Sequence, residues 1–131
     1  MLIRNPKPGS LADEKPGNIT FKEYDEFAGT TDVGTSTQDV INPGWLYYLL
    51  GLQGEVGELT EQCKKVFRDQ GGVFGPDDKV LIYKELGDIL WYLTRMASSF
   101  GYSLAKVAAL NIIKLTDRME RKKIHGRGDD R

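Results

Sequence analysis

GLQGEVGELTEQCKK, residues 51–65, and YKELGDILWYL, residues 83–93, decide how this chain folds. Each stretch carries two acids three residues apart, Glu55 with Glu58 and Glu85 with Asp88, and 26 residues separate the two pairs. Around the first pair Leu49, Leu52, Val56, Leu59, Cys63 and Val66 recur in alternating steps of three and four. Around the second, Ile82, Leu86, Ile89, Leu93, Met96 and Phe100 do the same. That period belongs to an amphipathic helix with one packing seam, and not to a strand. Acids three apart on a helix share a face, so two such helices side by side can aim four carboxylates at one point.

Outward from these helices the boundaries follow from caps and breakers. Thr20 with Glu23 has the form of a capping box and predicts a first helix from about Phe21 to Thr30. Thr31 to Asn42 reads as a loop, and Asn42-Pro43 as the start of the second helix, which ends near Asp69 before Gln70-Gly71-Gly72. The loop continues through Gly75-Pro76, and Asp77 or Asp78 is expected to cap a third helix reaching about Phe100. After Gly101-Tyr102, Ser103 caps a fourth helix to about Lys123. No strand-like alternation and no internal repeat occur. The fold expected is an all-α four-helix bundle over residues 19–124, preceded by a Pro-rich arm at 1–18 and followed by a glycine-rich tail at 125–131.

At 131 residues the chain is one domain with enough length for a core. A net charge of −1 offers no footprint for a nucleic-acid backbone, so none is expected as partner. The single Cys63 excludes an internal disulfide and reads as a small hydrophobe of the seam. The N-terminus lacks the apolar core of a signal peptide, and no apolar run is long enough for a membrane span, so a cytoplasmic location and no membrane partner are expected.

The chemistry lies in the acids. Glu85, Asp88, Tyr92 and Arg95 form a stripe beside the third helix's seam, Glu55 borders the second helix's seam, and Glu58 lies further outward. Carboxylates crowded at a seam's edge repel unless protons or a cation compensate, and an all-oxygen site suits Mg²⁺, with Mn²⁺ as substitute. The competing reading is a set of solvated acids paired with Lys64, Lys65, Lys84 or Arg68. Glu61 falls nearly opposite the seam and is expected to face solvent. On the fourth helix Asn111, Lys114 and Arg118 share one face and could hold phosphates. Trp45, Tyr47, Tyr48 and Trp91 read mainly as core, whereas Tyr92, on the acidic stripe, could stack on a base. No phosphate-cradling G-x-x-x-x-G-K loop exists, and with His125 as the one histidine there is neither a hydrolase triad nor an ordinary zinc site.

GLQGEVGELTEQCKK followed by KELGDILWYL resembles the E-x-x-E … E-x-x-D signature of the MazG-like all-α nucleoside triphosphate pyrophosphohydrolases. The similarity extends to INPGWLYYLLGL, KKVFRDQGG, the N-x-x-K-L-x-x-R run from Asn111 to Arg118, and the GRGDDR end, as in short bacterial or phage members. One departure is Val56, where several relatives place a second acid. The resemblance implies hydrolysis of a nucleoside or deoxynucleoside triphosphate to monophosphate and pyrophosphate, with Mg²⁺ held by Glu55, Glu58, Glu85 and Asp88. Within that reaction Glu58, farthest from its seam, is the candidate acceptor of the water's proton, and Lys114 and Arg118, with Asn111, are expected on the phosphates. Tyr92, Tyr24 and Phe27 are then candidates for the base and sugar pocket. Relatives cover their apolar seams by pairing, so a homodimer or homotetramer is implied. Two alternatives stand: a phosphoribosyl-nucleotide pyrophosphohydrolase on the same scaffold, and a non-catalytic helical interaction module. The tail reads either as a frayed end or as a flap closing over substrate.

Overall fold

A computed structural model describes residues 17–32 and 44–121. The arm before residue 17, the loop at 33–43 with the Asn42-Pro43 helix start, and the tail with His125 lie outside the described residues. Four helices run in order: α1 (Phe21–Thr30), α2 (Gly44–Gln70), α3 (Pro76–Ser99) and α4 (Leu104–Glu120). Among the described residues there is no strand. The all-α reading holds.

Each boundary has a local cause. Thr20 Oγ1 accepts from the Glu23 N–H at 3.2 Å, and Glu23 Oε2 accepts from the Thr20 N–H at 2.7 Å. That reciprocal pair satisfies two donors that an open helix end would leave bare. α2 stops at Gly71 and Gly72, whose φ of 60° and 82° suit only residues without a Cβ penalty. The Gly72 N–H returns to the Val66 carbonyl at 3.2 Å. α3 begins earlier than the sequence reading placed it. Gly75 is the N-cap and Pro76 the first helical residue, so Asp78 lies inside the first turn and accepts from the Gly75 N–H at 2.8 Å. Proline at the first position costs nothing because its missing N–H would have no helical partner. At α4 the Ser103 side chain caps the Lys106 N–H, and Asp25 of α1 accepts from the Leu104 N–H at 2.9 Å.

α2 and α3 form the main antiparallel pair; α1 rests against α3 and α4, and α4 also touches α3. Among the described residues α4 does not touch α2. The deep core is small: Ala28, Tyr48, Val66, Thr94, Ala97 and Leu104, with Arg118 also buried. The two seams are less buried than their periodicity suggests. Val66 is buried, but Leu49, Val56, Leu86, Leu93 and Phe100 are exposed, Leu86 at 45%. Trp45 and Tyr47 are exposed rather than core, and Trp91 is half-buried. Two packed helices cover one side of each seam, and among the described residues the remainder stays largely exposed. Cys63 is free and half-buried.

Candidate functional site

The acids and their supports follow from one antiparallel register between α2 and α3. Arg95 lies over the Tyr48 ring, its guanidinium carbon 5.9 Å from the centroid. One turn along α2 is Gly51, against which the Tyr92 ring is pressed so closely that no Cβ would fit. A turn further, Glu55 feels the Asp88 charge, and the next positions are Glu58 and Glu85. Steps of three and four along α2 are matched by steps back along α3, as helical neighbours require. One facing stripe therefore starts aromatic and packed, and ends as four acids.

Glu55, Glu58 and Glu85 each offer an oxygen, and these oxygens lie within 4.8 Å of one another. Asp88 is outside that group but acts on Glu55. Burial pushes the Glu55 carboxyl above the usual carboxylate range, and the charges of Asp88, Glu58 and Glu85 push it further. Among the described residues none of the four acids makes an ion pair. Two of the four candidate cations are engaged elsewhere: Lys64 pairs with half-buried Glu61, and Arg68 with Asp69 at 2.6 Å. The solvated-pair reading thus fits Glu61 and Asp69 but not the cluster. Oxygen donors carrying excess negative charge, without a histidine or cysteine among them, suit a hard divalent cation.

Two tyrosines flank Asp88. The Tyr24 hydroxyl on α1 donates to the Gly87 carbonyl at 3.5 Å, and burial, then the Asp88 charge, raise its pKa. The Tyr92 hydroxyl is raised by burial, then by its hydrogen bond with Tyr47, and then by the charges of Tyr47, Glu55 and Asp88. Phe27 is exposed on the same helix as Tyr24. On α4, Asn111 and Lys114 are exposed, whereas Arg118, on the same face, is only 5% exposed. The structure gathers acids and tyrosines along α1, α2 and α3, while Asn111, Lys114 and Arg118 lie on α4, which touches α1 and α3 but, among the described residues, not α2.

A polar network fixes the packed end of the stripe. Asp32 Oδ2 accepts from the Tyr48 hydroxyl at 2.5 Å and from Arg95 Nε at 2.8 Å. Next to it, Trp91 Nε1 donates to Thr31 Oγ1 at 2.7 Å. Sequence reasoning left Thr31 and Asp32 to a loop, and nothing local marks Asp32 as the partner of residues on two other helices. Gly51 was also missed, although it carries a signal. A helical glycine one turn before Glu55 faces, in an antiparallel pair, the aromatic one turn after Asp88.

Comparisons with known proteins identify the family. The profile of the MazG nucleotide pyrophosphohydrolase domain matches residues 45–122, spanning all four acids and the whole of α4. The Gene 37 protein of Mycobacterium phage L5 is 38% identical over 88 residues, which cover 67% of this chain and 77% of that protein. No solved structure matches the chain significantly. The profile match, over more than half of the chain from α2 through α4, places the chain in the MazG nucleotide pyrophosphohydrolase family.

Proposed function

We propose that the chain is a Mg²⁺-dependent nucleoside or deoxynucleoside triphosphate pyrophosphohydrolase, yielding the monophosphate and pyrophosphate. The observation that carries this reading is the meeting of Glu55, Glu58 and Glu85 oxygens within 4.8 Å, with the Asp88 charge added at Glu55. Such a cluster is costly by itself and becomes favourable around a divalent cation. Glu55, Glu58, Glu85 and Asp88 would hold Mg²⁺, or Mn²⁺ in its place. When bound, the ion polarises the α-phosphoryl group and offsets charge on the departing pyrophosphate.

The chain's own groups do the rest. Glu58, exposed at the edge of the cluster, accepts the proton of the attacking water. The water oxygen bonds to the α-phosphorus as the bond to the bridging oxygen breaks, and pyrophosphate leaves with that electron pair. Lys114 and Arg118, with Asn111, hold the outer phosphates. Tyr92, Tyr24 and Phe27 line the base and sugar pocket; the influence of Asp88 on both tyrosines supports this for Tyr24 and Tyr92.

The proposed working form is a homo-oligomer, a dimer or tetramer. Ile112 and Ile113 on α4 are 64% and 65% exposed, Leu50 on α2 is 65% exposed, and Leu110, Leu115 and Met119 are exposed as well. Apolar area on these two helices exceeds the scattered hydrophobic residues of an ordinary monomer surface. Sedimentation at low concentration tests this, with a monomer as the refuting result.

Pyrophosphate release from a panel of nucleotides, with and without Mg²⁺, tests the activity. Mg²⁺-dependent release from a triphosphate is the expected result. Release only from a phosphoribosyl-nucleotide would move the chain to the related reaction, and no release from any substrate would leave a binding module. No helix among the described residues is long and apolar enough to cross a membrane, which fits an enzyme acting on free nucleotides.

A further inference from the structure

We propose that the contact between Gly51 and Tyr92 is the spacer that sets the separation of α2 and α3 at the carboxylate cluster, and thereby the cation size the cluster accepts. The inference rests on the reading of that cluster as a divalent-cation site.

A Cβ on Gly51 would lie 2.1 Å from Tyr92 Cε1, 2.4 Å from Cζ and 2.5 Å from Cδ1. Carbon atoms in contact keep about 3.5–4 Å apart, so one methyl group demands a movement of roughly 1 Å or more. The ring has little freedom to yield. Trp91 packs edge-on against it with centroids 5.0 Å apart, and Tyr47 closes another side at 6.2 Å. The helices must therefore part, or the ring must leave its place.

What moves here also moves at the acids. Glu55 lies one turn along α2 from Gly51, and Asp88 one turn back along α3 from Tyr92. A helix is stiff over a turn of about 5.4 Å, so the displacement reaches the cluster nearly undiminished. Mg²⁺ takes oxygen ligands at about 2.0–2.1 Å in a demanding octahedron, whereas Ca²⁺ takes them flexibly at about 2.3–2.6 Å. A parting of roughly 1 Å exceeds that difference, so it penalises the smaller ion first.

Gly51 is unlike the other glycines around the acids. A Cβ on Gly54, Gly57 or Gly87 would meet nothing within 4 Å. Helical glycine costs about 1 kcal/mol relative to alanine, and of these four glycines Gly51 alone is required by a contact among the described residues.

The test uses the full chain and Mn²⁺, whose free-ion EPR signal reports binding, with Mg²⁺ and Ca²⁺ as competitors. In Gly51→Ala, Mg²⁺ affinity should fall at least tenfold and Ca²⁺ affinity less than threefold, while Gly54→Ala keeps both. Tyr92→Phe retains the ring and should retain the wild-type Mg²⁺-to-Ca²⁺ ratio. If Gly51→Ala does not fold, Tyr92→Leu alters the same contact from the other side and should shift the ratio at least threefold. Adding Gly51→Ala to Tyr92→Leu should then cost less than threefold in Mg²⁺ affinity, because the methyl has room. An unchanged ratio in Gly51→Ala or Tyr92→Leu, or an equal loss in Gly54→Ala, overturns the spacer while leaving the metal site standing. A wild-type chain that binds no Mn²⁺ overturns both.

Discussion

Replacing Glu55 by glutamine should make the metal-free protein more stable at neutral pH. Its carboxyl is half-buried, and oxygens of Glu58 and Glu85 come within 4.8 Å, with Asp88 also acting on it. Two unit charges at that distance repel by about 1 kcal/mol at the dielectric of water and by roughly 3 kcal/mol at an effective value near 20. Solvent reaches Glu58 freely, so the lower end governs, and relief of about 1–2 kcal/mol is expected. Glutamine and glutamate have nearly equal helix propensity, so that contribution cancels. The pH dependence has a definite sign. The folded-state pKa of Glu55 is raised, so the folded chain keeps a proton that the unfolded chain has released. Stability from this group therefore falls as pH rises from the ordinary carboxylate range through the raised value. Urea unfolding with a chelator should show the variant more stable than wild type at pH 7.5, with the difference shrinking on acidification. Mg²⁺ at tenfold over its dissociation constant adds about 1.4 kcal/mol to a chain that binds it. Wild type should gain this and the variant less. A variant no more stable than wild type at pH 7.5, or a wild type indifferent to Mg²⁺, refutes the reasoning.

Glu58→Gln and Asp88→Asn should each lower kcat by about a hundredfold or more with helicity by circular dichroism unchanged, because both are exposed acids outside the core. Near-wild-type turnover at saturating Mg²⁺ would remove these residues from the mechanism. Lys114→Ala should weaken triphosphate binding more than monophosphate binding, measured by calorimetry with Ca²⁺ in place of Mg²⁺; equal losses would place Lys114 away from the outer phosphates. Tyr48→Phe should cost about 1–2 kcal/mol in denaturant unfolding, since the Asp32 carboxylate loses the Tyr48 hydroxyl as a donor while Arg95 still holds it. A change under about 0.5 kcal/mol would mean the hydroxyl adds nothing beyond its solvation in the unfolded chain.

What the sequence determined by itself is what depends on neighbours a few residues apart. The four helices, the Thr20–Glu23 capping box, the Ser103 cap and the stop at Gly71-Gly72 follow from backbone sterics and from donors that need partners within one turn. The start of α3 was misplaced because Asp77, Asp78 and Gly75-Pro76 are all acceptable start signals, and the one realised is the Gly75 cap with Asp78 accepting its N–H. The pairing of acids within each helix was legible for the same reason, since i to i+3 geometry is fixed by the helix.

Only the tertiary structure decided which residue meets which across helices. Periodicity names a face but not the partner opposite, and a shift of one turn in the α2–α3 register would change every pair. The register observed is the one in which Gly51 admits Tyr92 and Tyr48 meets Arg95 and Asp32, and it carries Glu55, Glu58 and Glu85 together as a consequence. The seams show the complementary limit. Leu86, Leu93 and Ile112 are apolar by composition, but burial depends on what stands opposite, and a chain with two long packed helices and two shorter ones leaves them uncovered. Local chemistry settles elements; the long-range fit of side chains settles the site.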